Sequence, residues 1–289
     1  MTATMDIYVL IKQVPGTDNV KMDEETGTMI RTEHDNVINP LDENALEAAF
    51  QLREELAALT EGAMRARVVA LSMGPRPAVN ALREALAMGA DAAALLSDRA
   101  FAGSDTIATA EALAAGIQHQ AGVVPGEPLG GANKPCLVLC GERATDGETG
   151  QVGPMVAALL GIPVSTYVRR ISLVDGGAAV EVERVVEEGF ERVKLTLPAV
   201  VTVVKDINQP GFPTLAGKIT AKNADIPVLG PDDIGVDRVR VGLGGSPTRV
   251  VKVFHPKFSR DTVLHTHDAS GKAVDALVKF LDERGIGLK

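Results

Sequence analysis

Short apolar runs alternate with helical patterns four times between residues 6 and 160, and this alternation constrains the fold more than any other feature. The runs are nearly continuous in Val, Leu, Ile and Ala, as are strands buried on both faces of a parallel sheet. The repeated strand-to-helix order predicts an α/β fold with an open, doubly wound, mostly parallel sheet. The strands are predicted at residues 6–12, 67–72, 92–96 and 136–140, and the helices at 45–61, 77–88, 107–118 and from 151 onward.

Polar and small residues mark the ends of these helices. Asp42 is the predicted N-cap of the first helix, because a side-chain oxygen can accept the free N–H groups of a helix start. Gly62 is its predicted stop, since glycine tolerates the left-handed conformation found at helix ends. Ser104 or Asp105 is the predicted cap of the third helix.

The pattern changes after residue 163. Two β-prone runs, 164–173 and 179–186, flank the turn sequence Val174-Asp-Gly-Gly177, and a third run at 191–197 alternates polar and apolar residues. They predict an antiparallel hairpin added to the sheet, with one more strand at 199–204.

The remainder of the chain is punctuated by Pro and Gly. Periodicity is weak from Asn208 until a last helix at 272–283, which predicts an extended C-terminal arm. We therefore divide the chain into an α/β domain at residues 1–230 and an arm with its helix at residues 231–289.

The composition limits the functions that this fold can carry. A formal net charge of -9 disfavours a nucleic-acid surface, which needs concentrated Lys and Arg. Cys136 and Cys140 would lie roughly 13 Å apart on one strand, beyond disulfide reach, so structural thiols are predicted. Residues 1–6 lack a basic segment leading into an apolar stretch, and no run of about 18 apolar residues occurs. No membrane span and a reducing, cytoplasmic location are predicted.

Three loops of unusual composition follow predicted strands, at residues 12–16, 72–75 and 141–154. In an open parallel sheet, ligands bind at the carboxyl ends of the strands. These loops are therefore expected to surround one binding site.

The third loop is the most informative of the three. Its glycines let backbone N–H groups approach an anion, and the helix that follows adds a favourable dipole. Thr149 and Gln151 can donate to phosphate oxygens, while Asp146 and Glu148 could bind ribose hydroxyls or, alternatively, a metal. A plain turn-forming role is the competing interpretation. The glycines concerned are Gly141, Gly147, Gly150 and Gly153.

The start of the third helix, Ser104-Asp-Thr106, also allows two interpretations. It is either an ordinary N-cap or, through Thr106 and the free N–H groups of the helix, a second anion site. Two helix starts at one sheet edge would suit a pyrophosphate better than a single phosphate.

Other kinds of site find little support in the sequence. The glycine loop is neither a dinucleotide fingerprint nor a P-loop, and no nucleophile elbow is present. Cys140 has no adjacent His, and His265 and His267 alternate without a third ligand, which favours a solvated or interface role over metal. Redox chemistry on a bound cofactor is the simplest remaining function.

Several motifs, taken in order, resemble the beta subunit of the electron-transfer flavoproteins, and they span almost the whole chain. They are Ile11-Lys-Gln-Val-Pro15, Asn39-Pro-Leu-Asp42 followed by Ala45-Leu-Glu47, Ala85-Leu-Ala-Met-Gly-Ala-Asp91, Asp146-Gly-Glu-Thr-Gly-Gln-Val-Gly-Pro154, and Leu197-Pro-Ala-Val-Val-Thr202 followed by Asn208-Gln-Pro210.

The resemblance implies an adenine-nucleotide-binding domain that pairs with an alpha subunit carrying a flavin in a mobile domain, with the C-terminal arm wrapping that partner. Combined with the loops above, it predicts a set of cofactor-binding residues. They are Leu10, Lys12, Asn39, Pro40, Leu41, Asp42, Met73, Asp105, Thr106, Cys140, Gly141, Arg143, Asp146, Gly147, Thr149, Gly150, Gln151, Val152 and Gly153.

The family has two branches, one with a structural AMP in the beta subunit and one, electron-bifurcating, with a second FAD there that oxidises NADH. The stretch 146–154 resembles the bifurcating branch, although Glu148 stands where Asp is usual, and so does Ser104-Asp-Thr106. FAD is therefore predicted, with AMP as the alternative and ferredoxin or flavodoxin as a candidate acceptor. Outside the family, an ATP-binding stress or hydrolase-like domain is the remaining hypothesis.

A segment near residue 210 resembles the family's docking site for acyl-CoA dehydrogenases. Pro210-Gly-Phe-Pro-Thr-Leu-Ala216 places Leu215 at the apolar anchor position. Pro210, Phe212 and Leu215 are thus predicted to dock a flavin dehydrogenase, although Gly211 replaces a more usual Arg.

Overall fold

The computed structural model describes residues 3–16, 36–124, 127–129, 135–251, 263–266 and 271–287, so His267 lies outside the described residues. The strands are β1 (Ala3–Leu10), β2 (Gln13–Pro15), β3 (Asn36–Ile38), β4 (Met64–Met73), β5 (Ala92–Leu96), β6 (Cys136–Gly141), β7 (Val164–Val174), β8 (Ala179–Val186), β9 (Gly189–Thr196), β10 (Ala199–Val203) and β11 (Val228–Leu229). The helices are α1 (Pro40–Leu59), α2 (Val79–Met88), α3 (Thr106–Ala121), α4 (Val152–Leu160), α5 (Leu215–Lys222), α6 (Pro231–Ile234), α7 (Gly242–Gly245) and α8 (Lys272–Asp282).

Nine of the described strands form one sheet in the order β11-β5-β4-β1-β6-β10-β7-β8-β9. Neighbouring strands from β11 to β7 run parallel, whereas β8 pairs antiparallel with both β7 and β9. The short strands β2 and β3 form a separate antiparallel pair. The predicted doubly wound, mostly parallel sheet with an added antiparallel hairpin is confirmed.

Apolar side chains alternate between the two faces of the sheet, and each face carries its own core. Met5, Ile7 and Val9 of β1 belong to the core formed with α1 and α2. Tyr8 and Leu10 belong to the core formed with α3 and α4. Both faces of the central strand are therefore covered, which explains its nearly continuous apolar sequence.

The first helix begins earlier than predicted, and Asp42 is not its N-cap. Asn39 is the N-cap, Pro40 occupies the first turn, and neither supplies a side-chain cap. Proline is favoured there because it lacks the N–H that would stay unpaired. Asp42 is instead almost fully buried.

Three elements of the second half were not predicted as they occur. The strand β10 was expected, but it lies between β6 and β7 and is parallel to both. Helix α5 and the two-residue strand β11 were not predicted, and β11 completes the far edge of the sheet beside β5.

The chain divides into two compact units, Met1–Val251 and Lys252–Lys289. The first contains the whole sheet and all predicted site residues; the second contains α8. The predicted role of residues 231–289 in wrapping a partner stays a prediction. Among the residues described, no helix has both the length and the apolar character needed to cross a membrane.

Candidate functional site

The carboxyl ends of β1, β4, β6 and β10 meet at one edge of the sheet, which we call the carboxyl edge. The parallel register places Leu10 beside both Leu71 and Cys140, and Thr202 beside Cys140. The helices α1 and α4 begin just beyond these strand ends. This is the position at which open parallel sheets bind ligands.

Asp42 ties two strand ends to the first turn of α1. Its Oδ2 accepts the N–H of Lys12 at 2.8 Å, and its Oδ1 accepts the N–H of Gly141 at 2.9 Å. Burial raises the pKa of the carboxyl to about 7, although the hydrogen bonds from Gly141 and Lys12 act to lower it. The predicted ligand residue Asp42 thus joins the loops around the site.

Asn39 holds the loop after β6. Its Nδ2 donates to the carbonyl of Arg143 at 2.9 Å, and its Oδ1 accepts the N–H of Thr145 at 3.2 Å. On the solvent side of the same loop, Lys12 Nζ donates to Asp146 Oδ1 at 2.7 Å. The loop after β6 is therefore held by two residues between β1 and α1, Lys12 and Asn39.

The start of α3 is capped by its own sequence. Oδ1 of Asp105 accepts the N–H groups of Ile107 and Ala108 at 3.0 and 3.1 Å. Its Oδ2 accepts the N–H and the hydroxyl of Thr248 at 3.0 and 2.8 Å. The N-cap interpretation is confirmed for Asp105, and the N–H groups of this turn are directed at its carboxylate.

The start of α4 differs, because it has no side-chain cap. Gln151 is the N-cap residue and makes no capping hydrogen bond. The N–H groups of Val152 and Gly153 lie in the first turn, where a helix offers no internal acceptor. The hydroxyl of Thr106 donates to Gln151 Oε1 at 2.9 Å, so the starts of α3 and α4 are in contact.

Close packing explains two of the glycines. A Cβ at Gly153 would lie 2.5 Å from Thr202 Cγ2, and a Cβ at Gly141 would lie 2.6 Å from Leu41 Cβ. Gly147, by contrast, has open space around it. Gly141 and Gly153 thus let helices approach the strand ends, which adds a packing reason to the predicted role in ligand approach.

Several predicted site residues have side chains in the core. Leu10, Leu41 and Cys140 are buried, and Met73 is half-buried against the same packing. Burial raises the pKa of the Cys140 thiol far above its usual range, so it stays protonated. These residues can reach a ligand mainly through their backbone groups.

Other predicted residues are exposed members of the loop at residues 141–154. Thr149, Gln151 and Asp146 are exposed, and Arg143 pairs with Glu142 beside them. Across the described part of the chain, no group of three or more His, Cys, Asp or Glu side chains is arranged to hold a metal.

Sequence reasoning missed Asn44 and Thr202. Asn44 Nδ2 donates to the carbonyl and Oδ1 of Asn208 at 3.0 and 2.9 Å, and Asn208 Nδ2 donates back to the Asn44 carbonyl at 3.0 Å. The available signal was a polar residue on the buried face of a helix. Thr202 ends the motif at residues 197–202 but was given no role of its own, because threonine is ordinary in a strand.

The predicted docking residues follow Asn208 in the sequence. Phe212 and Leu215 are 97% and 76% exposed, and Pro210 lines a groove of about 420 Å³ between this segment and the start of α1. Gly211 N–H donates to Glu47 Oε2 at 3.2 Å. The predicted docking segment is thus held by α1, the helix that has Asn39 as its N-cap and Asp42 in its first turn.

An open, mostly parallel sheet with an uncapped helix start and a glycine-rich loop at its carboxyl edge defines a doubly wound α/β protein, a class that binds ligands at this edge. Comparison with known proteins narrows this class. The sequence profile of the family described as "Electron transfer flavoprotein domain" matches residues 26–234.

Three relatives align over nearly their whole length. The electron transfer flavoprotein subunit beta of Thermoanaerobacterium thermosaccharolyticum is 42% identical over 98% of this chain and 100% of its own. The subunit of the same name from Megasphaera elsdenii is 43% identical over 93% of this chain and 95% of its own. The caffeyl-CoA reductase-Etf complex subunit CarD of Acetobacterium woodii is 41% identical over 98% of this chain and 100% of its own. The chain belongs to the electron transfer flavoprotein family, among its beta subunits, as its motifs predicted.

Proposed function

We propose that this chain is the beta subunit of a cytoplasmic electron-transfer flavoprotein heterodimer and that its carboxyl edge binds FAD. In the assembled protein, NADH is oxidised and its electrons are divided. One passes to a low-potential acceptor such as ferredoxin or flavodoxin, and the other passes through the alpha-subunit flavin to a partner flavin dehydrogenase.

One observation carries the choice of a dinucleotide. The uncapped start of α4 and the start of α3 are in contact at the same edge, through Thr106 and Gln151. Asp105 occupies the N–H groups of Ile107 and Ala108, so α3 contributes the Thr106 hydroxyl rather than a free helix end. A hydroxyl beside a free helix start fits adjacent phosphates better than one phosphate alone.

The chain's own residues bind and orient the cofactor. The N–H groups of Val152 and Gly153 and the hydroxyl of Thr149 bind phosphate oxygens, and the Lys12 ammonium offsets their charge. Asp146 accepts a hydrogen bond from a ribose hydroxyl. The chemistry supplied by FAD when bound is hydride acceptance from NADH and electron transfer one at a time, so no protein side chain acts as a general base.

The alternative is a structural AMP, with the subunit serving to hold the alpha subunit and to dock a dehydrogenase. Releasing the bound nucleotides from the purified heterodimer by acid or heat distinguishes the two. Two FAD per heterodimer and flavin reduction by NADH are expected. One FAD with one AMP, and no reduction by NADH, would establish the alternative.

Docking of the dehydrogenase is assigned to Pro210, Phe212 and Leu215. Leu215 and Ile219 lie one turn apart on α5 and are 76% and 60% exposed, which gives a short apolar stripe. Association with CoA-ester reductases finds support in the name of the relative from Acetobacterium woodii, a caffeyl-CoA reductase-Etf complex subunit.

The alpha subunit is assigned to the C-terminal unit. Apolar residues of α8 recur at helical spacing and are largely exposed, as in a helix whose face a partner covers. They are Val274, Leu277, Val278 and Phe280, between 43% and 61% exposed.

A further inference from the structure

Tyr167 has a backbone conformation that a bulky residue rarely adopts. Its φ is 58°, in the left-handed region where the Cβ of an L-residue crowds the following carbonyl. The side chain is 47% exposed, so burial of the ring does not explain this conformation. Strain of this kind persists where the surrounding structure enforces it and is concentrated at ligand sites.

A β-bulge at the carboxyl edge produces the conformation. Val201 pairs with Ser165 and Val203 with Val168, so that Thr166 and Tyr167 stand opposite Thr202 alone. Bulges of this kind re-aim a side chain next to a binding site.

Neighbouring strands hold the bulge from both sides. On one side, the N–H of Tyr167 donates to Thr202 Oγ1 at 3.3 Å. On the other, Arg184 Nε donates to the carbonyl of Thr166 at 3.2 Å, and its Nη2 donates to the hydroxyl of Thr166 at 3.3 Å. The strained residue is thus fixed by β10 and β8 together.

The bulge directs the phenol to the approach to α4. The hydroxyl oxygen of Tyr167 lies 4.0 Å from the position that a Cβ on Gly150 would take. Gly150 comes directly before Gln151 and the uncapped start of α4. The methyl of Thr202, whose hydroxyl accepts the Tyr167 N–H, faces Gly153 in the first turn of the same helix.

We propose that Tyr167 is a nucleotide-binding residue whose hydroxyl donates to a phosphate oxygen held at the start of α4. This rests on the proposed function, since it requires a nucleotide at the carboxyl edge. The hydroxyl lies beside Gly150 of the glycine loop, and the cost of the left-handed backbone is sustained because it places the hydroxyl there.

The test uses the full heterodimer, stripped of nucleotide, and titrates AMP, FAD and adenosine by calorimetry. Tyr167→Phe removes only the hydroxyl. It is expected to weaken AMP and FAD binding about tenfold or more, to leave adenosine binding unchanged and to leave the melting temperature of the empty protein unchanged. Tyr167→Gly is expected to weaken AMP and FAD binding at least as much while the empty protein melts at the same or a higher temperature, because glycine relieves the strain.

Glu61→Gly is the matched control. Glu61 has a φ of 50° at the end of α1, away from the carboxyl edge. This variant is expected to relieve strain in the same way with unchanged affinity for all three compounds.

Two results would overturn the proposal while leaving the proposed function intact. They are wild-type affinity of Tyr167→Phe for AMP and FAD, or an equal loss for adenosine, which carries no phosphate. If the wild-type heterodimer bound neither AMP nor FAD, the proposed function and this proposal would both be wrong.

Discussion

Asp42 is the residue on which the geometry of the carboxyl edge depends most directly. It accepts one backbone N–H from the segment after β1 and one from the end of β6, and it lies in the first turn of α1. A single buried side chain therefore sets the spacing of three elements at the carboxyl edge. Its desolvation raises its pKa to about 7, so its charge changes near neutral pH.

This pKa predicts a specific dependence of stability on pH. Because the folded-state pKa lies above the unfolded one, the folded protein binds more protons between pH values of about 4 and 7, and this group's stabilisation is lost as the pH rises. Between pH 5 and pH 8 the unfolding free energy of the wild type should fall by about 2–3 kcal/mol more than that of Asp42→Asn, whose amide mimics the protonated carboxyl. Urea unfolding at several pH values measures this difference. Asp225→Asn, at an exposed position, should keep the wild-type slope, and equal slopes for wild type and Asp42→Asn would contradict the prediction.

At the residue scale, sequence reasoning assigned the wrong structural role to Asp42 and the right one to Asp105. Asp42 was predicted as an N-cap because Asx residues before an apolar helix usually are, whereas the helix begins at Pro40 with Asn39 as its N-cap, three residues earlier. Asp105 does cap α3. Both of its carboxylate oxygens accept hydrogen bonds from within the chain, from the N–H groups of Ile107 and Thr248 among others. Such roles depend on what lies across the fold, which local patterns do not contain.

At the scale of elements, the position of α4 depends on Gly153, which has no side chain to collide with β10. Gly153→Ala would drive a methyl into Thr202 and should destabilise the protein by about 1–3 kcal/mol, with weaker nucleotide binding because the helix start shifts. Gly147→Ala is the matched variant. Since its Cβ meets nothing, its stability should stay within about 0.5 kcal/mol of the wild type.

Thermal unfolding of the stripped heterodimer and AMP titration check both variants. A loss of affinity in Gly147→Ala without a loss of stability would support close approach of the ligand to this backbone. Equal stability of Gly153→Ala and Gly147→Ala would contradict the packing role of Gly153.

Helix α5 is fastened to α2 in a way that exposes its apolar side. A Cβ on Gly217 would overlap the carbonyl of Ala87, so only glycine permits the observed approach. Arg83 Nη1 donates to the carbonyls of Ala221 and Lys222 at 2.7 and 3.0 Å, at the end of α5. The two contacts hold the predicted docking segment against α2.

Two variants separate the docking surface from its support. Leu215→Ala should reduce electron transfer to the partner dehydrogenase about tenfold or more, with stability within about 0.5 kcal/mol of the wild type, because this side chain is exposed. Gly217→Ala should reduce the same rate by displacing α5. Both should keep the wild-type nucleotide content.

The measurement is dehydrogenase-coupled reduction of the heterodimer. Val239→Ala, another exposed apolar position, serves as the control and should keep the wild-type rate. An unchanged rate in Leu215→Ala would contradict the assignment of this residue to docking the dehydrogenase.

Elements with strong local patterns were predictable, and those defined by distant partners were not. The strands β1, β4, β5 and β6 are buried on both faces and are visible as apolar runs. The strand β10 pairs with β6 only after the chain has formed β7, β8 and β9, and it inserts between β6 and β7. No local sequence pattern indicates such a pairing between distant segments. Helix α5 has largely exposed apolar residues, and β11 has only two residues, so neither produces a periodic pattern.

At the scale of the whole molecule, the core places the end of the folded unit later than the composition does. Pro and Gly become frequent after Asn208, and residue 230 was the predicted boundary. Yet Ile234 and Val241 are each only 2% exposed, and the compact unit runs to Val251. Thr248 and Ser246 bind Asp105 at the start of α3, so residues 231–251 support the carboxyl edge itself.

Two truncations test where the compact unit that carries the carboxyl edge ends. A chain ending at Val251 keeps both cores and every predicted cofactor-binding residue, so it should fold and bind AMP with wild-type affinity. A chain ending at Gly230 loses the buried Ile234 and Val241, each worth about 1.5–3 kcal/mol, together with the partners of Asp105. It should unfold at markedly lower urea concentration and bind AMP weakly, as measured by urea unfolding and calorimetry.

Because the exposed apolar face of α8 is assigned to the alpha subunit, both truncations should lose heterodimer formation, which gel filtration with the alpha subunit checks. Equal stability of the two chains would place the boundary at residue 230, and heterodimer formation by the chain ending at Val251 would contradict the role of α8.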